Sequence, residues 1–109
     1  MKQITRDAVE AFINNIAFSS SNTSVSVHET GVAMLLHGNI IAIKTLKSGK
    51  IKINNCGWET PTTKERLNGI LELCGSSNTT KIYTKNGTWY WKKNGKVVKF
   101  PYSGHTRIN

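Results

Sequence analysis

The sequence is poor in acidic residues. Its 109 residues contain 6 Asp and Glu against 15 Lys and Arg, which gives a formal net charge of +9 at pH 7. A balance of this kind favours an anionic partner, such as nucleic acid, an anionic membrane or an acidic protein. The acids are spread along the chain without a recognisable acid/base motif, and neither a P-loop nor a nucleophile elbow is present. We therefore expect a binding protein and not an enzyme.

Cysteine is scarce, and long apolar runs are absent. Cys56 and Cys74 form no CxxC motif and the three histidines are scattered, so the spacing predicts neither a metal site nor a cofactor. No stretch approaches the roughly 20 apolar residues that a membrane span requires. The amino-terminal segment lacks the apolar centre of a secretory signal. We expect a cytoplasmic protein with reduced thiols and no membrane partner.

The positive charge is unevenly distributed along the chain. Residues 79–109 carry six lysines and one arginine with no acid, and residues 44–52 carry four lysines with no acid. The remaining segments, 1–43 and 53–78, each have a net charge of −1. A binding face for a polyanion requires this kind of segregation.

Two Asn-Gly dipeptides, Asn86-Gly87 and Asn94-Gly95, predict a three-stranded antiparallel meander in the carboxy-terminal third. A two-residue type I′ loop fixes the register of the strands that it joins. The first turn pairs Lys85 with Thr88, Thr84 with Trp89, Tyr83 with Tyr90, Ile82 with Trp91 and Lys81 with Lys92. The second turn pairs Lys93 with Lys96, Lys92 with Val97, Trp91 with Val98, Tyr90 with Lys99 and Trp89 with Phe100.

Alternation of side chains gives this meander two faces of opposite character. The core face is predicted to contain Ile82, Trp89, Trp91, Val98 and Phe100. The other face, which we call the Lys/Tyr face, surrounds a tyrosine pair with lysines and one aliphatic residue. Its members are Lys81, Tyr83, Lys85, Tyr90, Lys92, Val97 and Lys99. This face is either a surface for a polyanion or an exposed sheet surface that Lys and Tyr merely solubilise.

The first half of the chain predicts a helix followed by four strands. Apolar residues at steps of three and four indicate an amphipathic helix that begins near Arg6, with Thr5 as its N-cap. Alternating segments then predict strands at residues 23–28, 32–37, 40–46 and 50–54. Lys50 and Lys52, with Lys44 nearby, form a second basic cluster on the outward side of the last hairpin.

The segment after these strands predicts a second helix at about residues 62–73, ended by residues 75–78. Thr62 and Glu65 have the spacing of a capping box. The amino terminus of this helix, beside Thr63, Lys64 and Arg66, is a candidate anion seat, although capping alone explains the threonines. Trp58 is either a core or lid residue at the helix entry or a platform on which a base stacks.

These elements define an α+β fold in the order αββββαβββ, with both helices on apolar faces of antiparallel sheet. We expect one domain over residues 1–102 and a loose tail over residues 103–109, where periodicity is absent. The exposed strand edges would allow homodimerisation.

Several segments together resemble a group of small accessory proteins encoded by tailed bacteriophages and prophages. The segments are SSSNTSVSV, LHGNIIAIK, GKIKINNCGW, TTKERLNGIL and IYTKNGTWYW, and the GW-x-T-x-TTK-x-RLN-G stretch over residues 57–69 is the most specific. The resemblance covers residues 2–92. It implies expression in the cytoplasm of an infected bacterium and a role in host takeover or counter-defence.

Two functions from different classes fit these features. The first is nucleic-acid binding of low sequence specificity through the Lys/Tyr face, with lysines on phosphates and tyrosines stacking on bases. The alternative is a protein inhibitor that docks through the same basic face on an acidic host or defence factor. The candidate binding residues for either partner are Lys81, Tyr83, Lys85, Tyr90, Lys92, Lys99, Lys50, Lys52, Lys64 and Arg66.

Overall fold

The computed structural model describes residues 1–76 and 78–109. Over these residues the chain forms two helices and nine strands, and the strands are arranged in two antiparallel sheets. In chain order the elements are α1 (Gln3–Asn14), β1 (Phe18–Ser20), β2 (Thr23–Val27), β3 (Gly31–Leu36), β4 (Asn39–Thr45), β5 (Ile51–Ile53), α2 (Pro61–Cys74), β6 (Tyr83–Lys85), β7 (Thr88–Lys93), β8 (Lys96–Lys99) and β9 (Thr106–Arg107).

The larger sheet is a meander in the order β1-β2-β3-β4-β5, to which β9 is added beside β5. The smaller sheet is the carboxy-terminal meander β6-β7-β8. The α+β class is confirmed, and each strand and helix of the predicted order αββββαβββ is present. β1 and β9 are additional: they contain three and two residues, too few for a period of two to be recognised in the sequence.

Both sheets and both helices contribute to one hydrophobic core. α1 buries Ala8, Val9 and Phe12, which recur at helical spacing along one stripe. α2 contributes Leu67, Ile70 and Leu71 to the same cluster. The buried partners from the larger sheet include Val25, Val32, Met34, Ile41 and Ile53, and those from the smaller sheet are Trp89 and Trp91.

Both helices begin at residues other than those predicted. α1 begins at Gln3 after Lys2, whose side chain makes no capping bond, while Thr5 lies inside the helix and is buried. α2 begins at Pro61, and its N-cap is Thr60, whose side chain accepts a hydrogen bond from the Thr63 N–H at 3.2 Å. The predicted N-cap Thr5 and the predicted capping box were therefore wrong.

The carboxy-terminal end of α2 was predicted more closely. The helix ends at Cys74, one residue after the predicted end, and the Gly75 N–H bonds the carbonyl of Leu71. Of the four residues expected to stop the helix, Ser77 lies outside the described residues.

The prediction of a loose tail was wrong, because the last residues are part of the larger sheet. In β9, Arg107 pairs with Lys52 and Thr106 with Ile53. Ile108 is buried in the core. The Asn109 side chain accepts a hydrogen bond from the Ile51 N–H and donates one to the Gly49 carbonyl, each at 2.8 Å. A single apolar residue beside a two-residue strand leaves no periodic pattern in the sequence.

Candidate nucleic-acid interface

The carboxy-terminal meander has the register that its two Asn-Gly turns predict. Asn86 and Asn94 have φ angles of 51° and 54°, as the first position of a type I′ turn requires. The pairs Tyr83–Tyr90, Thr84–Trp89 and Lys85–Thr88 form on one side of β7. On the other side, the pairs are Tyr90–Lys99, Trp91–Val98, Lys92–Val97 and Lys93–Lys96.

The register prediction fails at the start of the meander. Lys92 bonds to Thr80 and not to Lys81: its carbonyl accepts from the Thr80 N–H at 3.1 Å, and its N–H donates to Thr80 Oγ1 at 2.9 Å. Asn68 of α2 holds the backbone of Ile82 at both groups, with bonds of 2.7 and 3.0 Å. These bonds draw Ile82 towards the helix, so the predicted pairs Ile82–Trp91 and Lys81–Lys92 are replaced.

The Lys/Tyr face contains a tyrosine pair at its centre, in which Tyr83 is exposed and Tyr90 is half-buried. The ring centroids of Tyr83 and Tyr90 are 6.0 Å apart, with an interplanar angle of 29°, and Tyr83 is 41% exposed. Lys99 lies opposite Tyr90 on the third strand. The next positions on this face are Lys85 beside one end of the pair and Lys92 beside the other, and both are exposed. The face therefore offers two aromatic rings with ammonium groups around them.

The lysines of this face are available for a partner. Within residues 1–76 and 78–109, the only ion pair joins Arg66 to Glu65. No side-chain hydrogen bond forms from Lys81, Lys85, Lys92 or Lys99 in that part of the chain. Residues 79–109 contain no acid, so the chain segment that forms this face contributes only positive charge to it.

The opposite face of the meander attaches it to the core. The Trp91 ring meets Phe100 edge-on at a centroid distance of 4.9 Å, and Trp89 packs on the same residue at 5.9 Å. Lys93 lies over the Trp91 ring and donates a hydrogen bond to Thr106 Oγ1 at 3.0 Å. Val98 was predicted to be in the core but is 40% exposed, since β8 is an edge strand that extends past the core.

The second basic cluster differs from its prediction. Lys50 and Lys52 are exposed. Arg107, which was expected in the loose tail, lies directly opposite Lys52. Lys44 is not part of this surface, because its Nζ donates to the carbonyls of Phe12 and Ile13 at the end of α1, at 2.6 and 3.0 Å. Burial lowers the pKa of Lys44, and the nearby Cys74 acts in the opposite direction.

The predicted anion seat at the start of α2 is occupied by the protein itself. Arg66 is only 3% exposed, and its guanidinium donates to Thr5, Thr23, Asn22 and Glu65. Lys64 donates to Thr84 Oγ1 at 2.6 Å. Arg66 is therefore removed from the candidate binding residues. Arg66 was predicted to be in solvent because arginines are mostly exposed, and its buried partners are distant in the chain.

Trp58 is not a core residue, since it is 59% exposed. It forms part of the lining of a cavity of about 360 Å³ beside the start of α2. Leu36 and Ile41 give this cavity an apolar part, and His37 and Asn39 are among its polar residues. The buried side chain of Asn55 accepts from the N–H groups of Gly57 and Ser103, at 2.9 and 2.8 Å, and so shapes the loop that carries Trp58.

The TTKERLNG segment that supports the resemblance has structural roles in this fold. Glu65 accepts hydrogen bonds from the Lys2 N–H and from Thr5, so it ties α2 to the start of α1. Gly69 lies where the helices meet, and a Cβ there would be 2.4 Å from Thr5 Cγ2. Together with Arg66 and Asn68, these residues join the two helices, β2 and the start of the small sheet.

These features define a small α+β protein with an exposed basic and aromatic sheet face. None of the helices in the described parts of the chain is long and apolar enough to cross a membrane. Within the same residues no group of three or more His, Cys, Asp or Glu is placed to hold a metal ion.

Comparison with known families places the chain among phage proteins. It matches the family model described as Kyanoviridae Gp96 protein over residues 1–109, so the chain belongs to this family. The predicted bacteriophage affiliation is thereby confirmed at the level of the family. No curated protein and no solved structure shows a significant match.

Proposed function

We propose that this phage protein binds nucleic acid through its Lys/Tyr face. The observation that carries the proposal is the Tyr83–Tyr90 pair, an exposed and a half-buried ring stacked at 6.0 Å, with Lys85, Lys92 and Lys99 at neighbouring positions of the face. Solubility alone needs charge but does not need two adjacent aromatic rings at the centre of the charged surface. Sheet surfaces with stacking aromatics and basic residues are a recurring way to bind single strands.

The chemistry of the face favours single-stranded nucleic acid without sequence preference. Each lysine neutralises a phosphate as a point charge, and binding releases condensed counterions. Each tyrosine ring can stack on any base, which contributes about 1–3 kcal/mol per base. No arginine fork lies on this face to read base edges, so the sequence of the strand is not recognised. Lys81, which was predicted on this face opposite Lys92, does not form that pair but is exposed. Lys50, Lys52 and Arg107 form a separate basic surface.

The phage affiliation of the family supports a proposal for the biological setting. We propose that the protein coats or sequesters single strands in the cytoplasm of the infected bacterium. We propose a role there in host takeover or counter-defence, which is supported by the phage affiliation and by the basic surface.

The test is fluorescence polarisation with labelled single- and double-stranded DNA and RNA at roughly 50 and 200 mM salt. A variant with Lys85, Lys92 and Lys99 changed to Gln should bind single strands more weakly. Its log–log salt slope should fall by about 2. The matched control replaces Lys2, Arg6 and Lys47 by Gln, which removes the same charge from exposed positions outside the face.

The tyrosines are tested separately from the charge. Tyr83→Thr with Tyr90→Thr keeps residues that favour strands but removes both rings, so affinity should fall by about tenfold or more. Tyr83→Phe with Tyr90→Phe keeps the rings and should bind like the native protein. The proposal is wrong if no probe binds at the lower salt, or if the control triple variant loses as much affinity as the face variant.

A further inference from the structure

The outer edge of β8 is an unpaired strand edge, and it offers backbone groups, whereas the interface just described depends on side chains. β8 pairs only with β7 among the described residues, and all four of its residues are exposed. Val97 and Val98, on opposite faces of the strand, are 54% and 40% exposed. An exposed strand of this kind is a template for pairing with another chain.

The hydrogen-bond pattern shows which backbone groups point outwards. Phe100 donates its N–H to the Trp89 carbonyl at 2.9 Å, so Trp89 and Phe100 are a hydrogen-bonded pair. Such pairs alternate along an antiparallel ladder. The Trp91–Val98 pair is therefore also hydrogen-bonded, and the N–H and C=O groups of Val97 and Lys99 point away from β7. Two residues thus offer four unused backbone groups to an incoming strand.

The other strand edges are less available. β1 has three residues and β9 has two. Next to β9, the Asn109 side chain already forms hydrogen bonds with the backbone of Ile51 and Gly49. On the opposite edge of the small sheet, β6 has three residues, and Lys64 reaches it at Thr84. β8 is therefore the edge most open to addition of a strand.

The charge on this edge selects the kind of strand that would fit. Lys96 and Lys99 flank the two valines, and Lys93 lies opposite Lys96. A second copy of β8 would bring further lysines to an edge that has no acid in residues 79–109 to offset them, and like charges on neighbouring strands are unfavourable. An acidic strand would instead meet these lysines with opposite charge.

We propose that β8 binds an extended acidic segment of a partner protein by adding it as a fourth strand to the small sheet. Val97 and Lys99 supply the backbone hydrogen bonds, and Val97 and Val98 contact aliphatic side chains of the segment. Lys96 and Lys99 pair with its Asp or Glu residues. Addition of a strand to a sheet edge is an established mode of peptide recognition, in which backbone bonds give affinity and alternate side chains give specificity.

This inference goes beyond the proposed nucleic-acid binding, because it depends on the backbone edge of β8 and not on the tyrosine rings. Lys96 and Val98 lie on the core-side face of the small sheet, while the tyrosine pair lies on the Lys/Tyr face. Lys99 is shared by both sites. Variants at Val97 and Lys96 therefore test the strand edge and leave the rings of Tyr83 and Tyr90 in place.

The probe is a fluorescein-labelled peptide of sequence EVEIEVE, measured by polarisation at roughly 50 mM salt. Val97→Pro removes an outward N–H without removing a bond to β7 and should weaken binding by about tenfold. Val97→Thr keeps that N–H and serves as the matched control. Lys96→Glu should also weaken the EVEIEVE peptide and should favour the basic peptide KVKIKVK. Thermal unfolding checks that each variant is folded.

The outcomes separate strand addition from simple charge attraction. In the expected case, EVEIEVE shifts the backbone amide signals of Val97 and Lys99 in an NMR titration, and the proline-interrupted peptide EPEIEPE binds much more weakly. Equal binding of the two acidic peptides would overturn the proposal, as would equal binding by the Val97→Pro and Val97→Thr variants. A dimer in sedimentation that Val97→Pro abolishes would assign the edge to a second copy, which also overturns it.

Discussion

Replacing Arg66 by Met tests whether this arginine is structural, as its burial indicates. The guanidinium donates from Nε to Thr23 Oγ1 and from Nη1 to Thr5 Oγ1, each at 2.9 Å, and it pairs with the Glu65 carboxylate. Thr5 and Thr23 are fully enclosed by protein. Met keeps much of the aliphatic volume but offers no donor, so the variant leaves two buried hydroxyls and a carboxylate without their charged partner.

The expected loss in the free energy of unfolding is about 3 kcal/mol. Breaking a buried ion pair by removing one partner costs about 3–5 kcal/mol. The lower end applies here because the Glu65 side chain is 23% exposed and keeps some contact with water. Since a domain of this size is stable by only about 5–15 kcal/mol, the midpoint of thermal unfolding should fall by about 15 °C.

The measurement is urea unfolding followed by tryptophan fluorescence and circular dichroism. Arg6→Met is the matched control, because Arg6 is an exposed arginine on α1 and its loss should change stability by no more than about 0.5 kcal/mol. A loss below about 1 kcal/mol at Arg66 would refute the structural role. Folded Arg66→Met should bind nucleic acid like the native protein. A selective loss of binding would instead support the anion site that was predicted at the start of α2.

Three further predictions follow from the same region. Gly69→Ala should destabilise the protein by about 1 kcal/mol, since overpacking against Thr5 exceeds the gain in helix propensity; a more stable variant in urea unfolding would show that the helices separate freely. Burial alone would raise the pKa of Glu65, but hydrogen bonds from Thr5, the Lys2 N–H and Arg66 hold it below its usual range. The stability contributed by this carboxylate is therefore present above about pH 4.3 and is lost as the pH falls through the lower folded pKa. In urea titrations, Glu65→Gln should reduce the fall of the free energy of unfolding at acid pH. An unchanged fall would contradict the assignment. Burial raises the pKa of Cys74 to about 11, so iodoacetamide at pH 8 should label it far more slowly in the folded protein than in urea; equal rates by mass spectrometry would contradict its burial.

The sequence could predict most of the small sheet because the signals there are local. An Asn-Gly turn determines the register of the residues next to it, and alternation then assigns Tyr83, Tyr90 and Lys99 to one face. The prediction failed at Ile82, where Asn68 of α2 competes for the backbone. Nothing in the sequence near Ile82 indicates that contact, since the two residues are brought together only by packing of the helix on the sheet.

The candidate site also contains residues whose exposure the sequence could predict and residues whose burial it could not. Lys85 and Lys92 were assigned to the surface by alternation, and the structure leaves them exposed. Arg66 and Lys44 are basic residues as well, yet one is buried in a network and the other bonds the carbonyls at the end of α1. Their partners are 43 and 32 residues away in the chain, so composition and spacing could not distinguish them from solvent-facing cations.

The sequence by itself determined the α+β class, the order of the main elements, the two tight turns and the segregation of positive charge. These features depend on contacts between residues close in the chain, where side-chain periodicity and turn conformation are sufficient. Tertiary structure decided which basic residues are free for a partner, and it placed β9 in the larger sheet beside β5. It did so because burial and hydrogen bonding between distant segments set the cost of leaving each polar group without a partner.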